Sequence, residues 1–538
     1  MGKERGNYLL IILSDDDVTC VFFFLTVLTA TKFHRAMPRF PFADAAVLTR
    51  HLVRRCSYFY NLDSWKQGMS DLRDAFPPHW HHATAVKNNP LTSMLKIVLS
   101  EGHGGECASM GEVLHCLKVG FEGADVVFDS PCKTIPEIKY ALENKVMLNM
   151  DNMQEMERVK VAVAGMSEDS LQGCVIGLRI NPLVGSGAVA NLSVSTRKSK
   201  FGVICPVGGG GGDQEVMERA AVVKALVEND FVTAVHVHTG SGGMTIEQMA
   251  DGAAGAANLA LEVNKLRSDS QRKIDVIDIG GGLPGALTLT EALFLCILFD
   301  SWQRRAEHAP PFPPSNSTPT LPLNNTQTTQ RKCKCECNAH AHAHAVSYGK
   351  EQDPTFAKYS SILRERAPSL FDGVTFRRVV TEFGNMMNCR HAFYASVCEV
   401  TKPGDAGGRI AMIHAGSDQF LRACYAAHMR KPHPVSVFHK DGVSKSGAPI
   451  LHDIAGPLCF AGDVVCTAVQ LPQVEVGDIV VLDEAGGNTH GLKTMHCSRR
   501  FPPIFGYERG QDDSNSSDGL KFTQLSSGWS YDQLLSLW

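Results

Sequence analysis

The chain has 538 residues, of which 44% are hydrophobic and 20% are charged, and its formal net charge is -4. This length suits two domains or one large α/β domain with an addition, and the charge gives no electrostatic reason to expect nucleic acid as a partner. The 17 cysteines are odd in number and scattered, which argues against a secreted disulfide framework. We therefore predict a reducing compartment, either the cytoplasm or an organelle such as a plastid.

The first 36 residues contain an apolar run, Val18 to Phe33, that is shorter than the roughly 20 residues needed to span a bilayer. Three aspartates, Asp15 to Asp17, precede this run, whereas a secretory signal peptide has a basic flank. We predict no membrane attachment and interpret residues 1–36 as a targeting remnant or a misassigned start, with Met37 as the alternative first residue.

From His82 onward, short apolar segments of β-type residues alternate with helical patterns. The eight predicted strands cover residues 82–86, 104–108, 125–129, 146–150, 174–180, 233–238, 274–279 and 377–383. Such alternation implies parallel pairing through right-handed crossovers. Eight units in succession favour a (β/α)8 barrel over residues 76–386, with its site at the carboxyl ends of the strands; an open doubly wound sheet is the alternative.

Two segments interrupt this pattern. The glycine run at 205–215 lacks the Lys-Ser/Thr ending of a phosphate-binding P-loop and is predicted to be a surface loop. Residues 286–347 are rich in Pro, Ser, Thr and Asn and are predicted to be a disordered low-complexity insert. The Cys/His tract within this insert matches no zinc spacing, so we predict no metal site.

After Phe383, strand-like segments separated by Gly and Asp turns predict an all-β domain, a barrel or sandwich, over residues 387–510. We assign residues 37–75, which precede the barrel, to the same β domain. The polar residues that open the last segment, 511–538, predict a mobile tail.

The first predicted strand ends at a lysine, Lys87, which is followed at once by Asn-Asn-Pro. Other strands end in an arginine, a histidine with a serine, a glycine triplet and a carboxylate: Arg179, His238, Ser241, Gly280, Gly281, Gly282 and Glu382. At the mouth of one barrel these side chains would face a single cavity. This set of groups indicates pyridoxal 5'-phosphate (PLP) chemistry. The lysine amine can form a Schiff base, the glycine amides can bind a phosphate, and the carboxylate can pair with a ring nitrogen.

The motifs around these residues resemble a known family. They read AVKNNP, ECASMGE, FDSPCK, GLRINP, SKFG, HVHTGS, DIGGGLP, TEFG, HAGSD, GPLCFAGD and VEVGDIVV. Because these motifs follow one another in the same order, the chain resembles the fold-type III PLP-dependent decarboxylases, which act on diaminopimelate, ornithine or arginine. The resemblance extends from about Tyr58 to Tyr507 and is strongest to the diaminopimelate branch.

The resemblance implies a role for each matching residue. Lys87 would carry PLP, His238 would stack on its ring and Glu382 would pair with the pyridine nitrogen. The phosphate would be bound by Ser241 and Gly280 to Gly282, and Arg179 would lie near the phenolic oxygen. The remaining assignments lie in the β domain: Cys459, acting from the partner subunit of a head-to-tail homodimer, with Asp463, Arg422 and Tyr425 on the substrate side.

Three positions depart from the family pattern. Asn385 stands where the family has an arginine after Glu-x-Gly, and Asn488 stands in place of a phosphate-binding tyrosine. Both keep a hydrogen-bonding amide but lose the cation or the phenol, which weakens a charge-assisted phosphate contact. Phe460 follows Cys459 at a substrate-side position where the family has an acidic residue, and an apolar ring cannot form a salt bridge with an ammonium.

The resemblance implies a PLP-dependent α-decarboxylase of a small-molecule amino acid, with diaminopimelate conversion to lysine as the leading reaction. An ornithine- or arginine-type decarboxylase of polyamine synthesis is the next alternative. A catalytically impaired homologue that binds and regulates an active decarboxylase is a third, favoured by the three departures and opposed by the retained Lys87, His238, Glu382 and Cys459. A racemase is a weaker fourth.

Overall fold

The computed structural model describes residues 56–187, 193–207, 212–241, 243–283, 355–426, 432–509 and 520–538. The predictions for residues 1–36 and 286–347 lie outside these ranges, as does the centre of the glycine run at 205–215. Within the described ranges, no helix combines the length and the apolar character needed to cross a membrane.

Eight parallel strands of the described chain form a closed barrel. They are β2 Trp80–Ala85, β3 Gly104–Cys107, β4 Val126–Phe128, β5 Met147–Met150, β6 Ile176–Asn181, β8 Ala234–Val237, β9 Val276–Asp278 and β10 Arg378–Thr381, with a short β7 Val203–Ile204 beside β6. The ring closes because β2 pairs with both β3 and β10, and β5 pairs with β6. The predicted barrel is confirmed, and the doubly wound alternative is excluded.

Helices follow most of the barrel strands. Those of the barrel region are α1 Leu62–Ala75, α2 Thr92–Ser100, α3 Met110–Val119, α4 Ile135–Glu143, α5 Met153–Ala164, α6 Glu168–Leu171, α7 Asp213–Glu228, α8 Ile246–Leu266 and α9 Phe356–Arg366. Local sequence sets their ends, as α3 illustrates. The Ser109 side chain accepts a hydrogen bond from the Glu112 N–H at its start, and Gly120 ends it in the left-handed conformation at φ 116°.

The interior of the barrel changes from apolar to polar along each strand. Its apolar end is a cluster of Ala83, Val127, Met147, Val175, Ala234, Val276 and Val380. Side chains of a strand alternate between its two faces, so residues two or four positions further along each strand also point inward. His236 and Glu382 lie two positions after Ala234 and Val380. Lys87 and His238 lie four positions after Ala83 and Ala234. The fold thus gathers polar groups at the carboxyl end of the barrel.

The second domain consists of two sheets. The six-stranded sheet has the order β14-β17-β11-β1-β18-β19, and the four-stranded sheet has the order β12-β13-β15-β16. The strands are β1 Cys56–Asn61, β11 Ala392–Val397, β12 Val400–Pro403, β13 Arg409–Met412, β14 Val435–Phe438, β15 Pro449–Ala455, β16 Val464–Pro472, β17 Ile479–Leu482, β18 Ile504–Arg509 and β19 Leu520–Ser526. Three short helices accompany them: α10 Asn385–Asn388, α11 Leu421–Tyr425 and α12 Tyr531–Leu535. Strand β1 pairs antiparallel with β11 and parallel with β18, so the chain enters the barrel from this sheet.

The prediction of a mobile tail over residues 511–538 is wrong for its described part. Strand β19 pairs antiparallel with β18, and the Ser93 hydroxyl of α2 donates a hydrogen bond to the carbonyl of Leu525 at 2.8 Å. Leu534 of α12 is buried. The polar residues on which the prediction rested, Gln511 to Asp518, lie outside the described residues and precede β19.

Three histidines near the base of the barrel predict acid sensitivity. Burial, together with neighbouring cations, lowers the pKa of His81 to about 3, that of His82 to about 3 and that of His103 to about 4. Because these values lie below the ordinary 6.5, the unfolded chain takes up the protons first as the pH falls. The contribution of these three histidines to the free energy of unfolding is therefore fully present above pH 6.5. Below pH 6.5 it decreases, by about 4 kcal/mol per pH unit for the three groups together.

Denaturant unfolding at a series of pH values between 7 and 5 would measure this slope. His82→Gln is expected to reduce it by about 1.4 kcal/mol per pH unit, which is the contribution of one proton. His496→Gln, at an exposed site, is the matched control and should leave the slope unchanged. A free energy of unfolding that is constant between pH 7 and 5 would contradict the prediction.

Candidate active site

Lys87 lies just beyond strand β2, in a single 3-10 turn over Val86–Asn88. Its amine donates a hydrogen bond to Glu106 Oε1 at 2.6 Å and also contacts Oε2 of the same carboxylate. The Lys87 side chain is 52% exposed, whereas the Glu106 side chain is 1% exposed. The pair thus places a cation at the mouth of the barrel and its counter-ion in the wall.

The electrostatics of this pair favour a charged lysine. Burial opposes the charge on the amine, but Glu106 and Glu382 outweigh it and raise the pKa of Lys87. Burial also raises the pKa of Glu106 to about 7, although Lys87 acts in the opposite direction.

His238 is held in a neutral form beside the glycine triplet. Its Nδ1 accepts a hydrogen bond from the Gly281 N–H at 3.1 Å, so the proton lies on Nε2, which is 3.1 Å from the Ser241 hydroxyl oxygen. Burial and the positive charge of Arg179 lower the pKa of His238 to about 3. The structure therefore brings His238, Ser241 and Gly281 together, and their roles in binding the cofactor stay predictions.

The glycine triplet follows β9 and packs closely against two neighbouring strand ends. A Cβ on Gly281 would lie 2.1 Å from the carbonyl oxygen of Glu382, and one on Gly282 would lie 2.0 Å from that of Gly240. Gly280 and Gly282 also have φ of 66° and 109°. Glycine is thus required here for backbone packing, in addition to the phosphate binding that the sequence predicts.

Glu382 follows β10 and faces the interior of the barrel. Its N–H donates to the Gly280 carbonyl at 2.9 Å, which fixes the backbone against the glycine triplet. Its side chain is 4% exposed, and Oε2 lies 3.6 Å from His236 Nε2. The other oxygen, Oε1, is buried and has no hydrogen-bond partner among the described residues. A buried carboxylate oxygen without a donor fits a group that brings its own N–H.

Three asparagines join the Lys87 turn to the second domain. Asn385 Oδ1 accepts hydrogen bonds from Asn88 Nδ2 at 2.7 Å and from Asn488 Nδ2 at 2.6 Å. The Asn488 N–H also donates to the carbonyl of Asn88, the residue after Lys87, at 2.9 Å. The two departures from the family pattern therefore contact each other, and the role of Asn488 in binding the cofactor stays a prediction.

The predicted substrate-side residues lie in the second domain. Cys459 is exposed on the turn between β15 and β16, and Arg422 is exposed on α11. The rings of Tyr425 and Phe460 stack with centroids 4.9 Å apart at 8°. Among the described residues, no hydrogen bond or ion pair connects Cys459 with Lys87. Within one chain, the structure does not bring the two catalytic candidates together.

Asp463 has a structural role that could not be seen in the sequence. It is 3% exposed, and its two oxygens accept hydrogen bonds from the N–H groups of Ser417 at 2.6 Å and Leu458 at 2.8 Å. The carboxylate thus fastens the turn that carries Cys459 to a neighbouring loop. We replace its predicted role in substrate binding with this one, since both oxygens are already engaged and shielded.

Sequence reasoning missed three buried residues of the site and gave a fourth, Glu106, no role. Asp129, His236 and Asp278 all point into the barrel, and His236 Nδ1 lies 3.1 Å from Asp129 Oδ1. Burial opposes ionisation of Asp129, but His236 and Arg179 lower its pKa. The alternation of the strands carried the signal, because His236 precedes His238 by two residues and so shares its face.

Arg179 links this group of residues to the next strand. Its Nη1 lies 3.5 Å from Asp129 Oδ2 and 3.7 Å from Asp151 Oδ1. The guanidinium also lies 4.5 Å from the ring centroid of Phe201. The side chain is 5% exposed, so it acts as a fixed positive charge in the wall of the site.

Comparison with known proteins gives consistent results for both domains. The pyridoxal-binding domain of pyridoxal-dependent decarboxylases matches residues 62–294, and their C-terminal sheet domain matches residues 255–486. The diaminopimelate decarboxylase of Bacteroides thetaiotaomicron is 24% identical over 453 residues, which cover 83% of this chain and 93% of that protein. A probable ornithine decarboxylase of Dictyostelium discoideum is 25% identical over 226 residues, which are 42% of each chain.

Solved structures share the fold. The crystal structure of diaminopimelate decarboxylase from Helicobacter pylori complexed with L-lysine has a TM-score of 0.62 at 19% identity. The match covers 90% of this chain and 96% of that one. The arginine decarboxylase of Paramecium bursaria Chlorella virus has a TM-score of 0.59 at 16% identity, covering 84% and 96%.

Proposed function

This chain belongs to the pyridoxal-dependent decarboxylases, and we propose that it removes the α-carboxyl group of diaminopimelate to give lysine. One observation carries the proposal at the level of the site. A lysine amine and a buried carboxylate oxygen without a donor, those of Lys87 and Glu382, both face the carboxyl end of one barrel. This is the pair of groups that a pyridine aldehyde needs at its two ends.

The residues present fit PLP. Lys87 would hold its aldehyde carbon, Glu382 Oε1 would accept its ring N–H, and neutral His238 would lie against its ring. Ser241 and the N–H groups of the glycine triplet would bind its phosphate. When bound, PLP supplies an electron sink for the electron pair that remains when carbon dioxide leaves.

The protein's own residues manage the protons around that step. Glu106 keeps the Lys87 amine at the mouth of the barrel, because its carboxylate accepts a hydrogen bond from Nζ. Arg179 keeps a positive charge beside Asp129, and Asp463 fixes the turn that presents the Cys459 thiol. Cys459 would deliver the proton that replaces the departed carboxyl group.

We further propose a head-to-tail homodimer in which Cys459 of one chain serves the Lys87 site of the other. The exposure of Cys459 and its place on the turn between β15 and β16 of the second domain support this arrangement. The protein would work in a reducing compartment, the cytoplasm or a plastid, in keeping with its many scattered cysteines.

The test is a titration of the purified protein with PLP, read by visible absorbance and followed by borohydride reduction and peptide mass mapping. We expect saturable absorbance and one reduced adduct per chain, on Lys87. Release of carbon dioxide from diaminopimelate, ornithine and arginine is then compared, and diaminopimelate is expected to be the fastest substrate.

The remaining outcomes decide among the alternatives. Faster release from ornithine or arginine would replace the proposed substrate and favour an enzyme of polyamine synthesis. The stacked rings of Tyr425 and Phe460 make this comparison necessary, since neither ring offers a negative charge to a distal ammonium. No adduct even at high PLP would favour a regulatory homologue. The loss of phosphate binding would then be attributed to Asn385 and Asn488, which replace the family's arginine and tyrosine.

A further inference from the structure

His236 lies at the centre of the barrel, between two carboxylates of different strands. Its side chain is fully buried, with Nδ1 3.1 Å from Asp129 Oδ1 and Nε2 3.6 Å from Glu382 Oε2. Asp129 in turn faces the guanidinium of Arg179. A continuous row of alternating charges therefore runs from Arg179 across the barrel to the carboxylate that faces the predicted cofactor ring.

The surroundings of His236 are predominantly acidic. Asp278 follows Val276 inward on β9, and both it and Glu382 act on His236, as does Asp129. Burial opposes the charge on the imidazole, but these three carboxylates outweigh it and raise the pKa of His236 well above its ordinary value. Two cations and one further acid face the same space: Lys87, Arg179 and Glu106.

Burial of several carboxylates together requires positive charge between them. His236 is fully buried and lies at ion-pair distance from both Asp129 and Glu382, although neither of its ring nitrogens makes a hydrogen bond to a described residue. The ligand atoms of these three residues lie within 4.8 Å of one another, a spacing that a metal ion could also use. The imidazolium and Arg179 together carry two positive charges beside the same two carboxylates, so the charges balance without such an ion.

We propose that His236 is a positioning residue whose imidazolium, paired with Asp129, supplies the positive charge beside Glu382 and leaves the free oxygen of Glu382 facing the cofactor. This inference rests on the proposed function, since it assigns Glu382 to the ring nitrogen of PLP. Asp129 acts indirectly, because its carboxylate stabilises the imidazolium of His236, which in turn stabilises the charge of Glu382.

The first test is the pH dependence of PLP affinity in His236→Asn. Without the imidazolium, Glu382 still shares the buried space with Asp278 and Asp129 but with less positive charge, which favours a neutral carboxyl. A neutral carboxyl lacks the negative charge that pairs with a pyridinium N–H. We expect the dissociation constant to be about tenfold higher than that of the wild type at pH 6.5. The difference should shrink to about twofold at pH 9, where Glu382 is again ionised.

A merely structural role of His236 predicts a different result. The loss of affinity would then be the same at every pH, and that outcome would overturn the proposal. His439→Asn, at an exposed site of the second domain, is the matched control and should bind PLP as the wild type does. Absence of PLP binding by the wild type would refute the proposed function, whereas wild-type binding with a loss in His236→Asn that is independent of pH would refute this inference alone.

A double-mutant cycle with Glu382→Gln gives a second, independent measurement. If His236 acts through Glu382, adding His236→Asn to Glu382→Gln should weaken PLP binding by less than about twofold. Additive losses would contradict the proposal, because they would mean that His236 contributes without Glu382. The cycle compares affinities only, so it does not require any variant to be active.

The protein without PLP provides a third readout. Nitrogen-15 NMR of labelled histidine should show His236 doubly protonated at pH 7.5, and Asp129→Asn should move its loss of a proton to lower pH. A neutral His236 in the wild type would overturn the proposal. Stoichiometric retention of a divalent metal that Glu382→Gln releases would overturn it as well, since the three residues would then be metal ligands.

Discussion

Replacing Lys87 by alanine is expected to abolish the borohydride-fixed adduct and to lower carbon dioxide release at least about a thousandfold, as removal of a nucleophile does in other enzymes. The amine is the group that contacts Glu106 at the mouth of the barrel, and alanine leaves neither an amine nor a replacement. The fold should persist, because the Lys87 side chain is 52% exposed and its backbone turn is held by Asn88 and Asn488.

The same variant tests the homodimer. Mixed with Cys459→Ala, which is also expected to be nearly inactive, it can form heterodimers in which one site has both Lys87 and the partner's Cys459. Random exchange should restore about a quarter of the wild-type activity. No recovery after verified exchange would show that both groups act from one chain. Residual activity of Lys87→Ala near that of the wild type would refute the assignment of Lys87 itself.

Gly281→Ala is expected to damage both stability and cofactor binding. A Cβ at this position would lie 2.1 Å from the Glu382 carbonyl oxygen and 2.8 Å from its carbonyl carbon, so one of two buried strand ends must move. Overpacking of this kind costs about 1–3 kcal/mol, and more where backbone is the obstacle. Glu382 would shift with its backbone, and we expect PLP affinity to fall at least about tenfold.

Gly165→Ala is the matched control for this substitution. Gly165 lies at the end of α5 with φ -91°, and a Cβ there would have the Ala162 carbonyl oxygen as its nearest neighbour, at 3.6 Å. Denaturant unfolding and PLP titration of both variants provide the measurements. Equal stability and equal affinity of the two variants would contradict the close packing at Gly281.

The sequence by itself determined the barrel and the site residues that directly follow its strands. Alternation of apolar strands with helices is a local property, and so is the position of Lys87, His238 and Glu382 just after a strand. Parallel barrel strands all end at one mouth, so these residues converge whatever the details of packing. The predicted strands therefore match the observed ones closely, and Lys87 lies two residues beyond the end of β2.

Only the tertiary structure decided which groups touch. The row formed by Asp129, His236 and Glu382 joins three strands far apart in the chain, and its distances depend on how the barrel closes. The contact between Asn385 and Asn488 likewise joins the two domains, and Asp463 proved structural because the fold directs two backbone N–H groups at it. Periodicity specifies the face on which a side chain lies, whereas charge, protonation and hydrogen bonding depend on neighbours that folding brings from elsewhere in the chain.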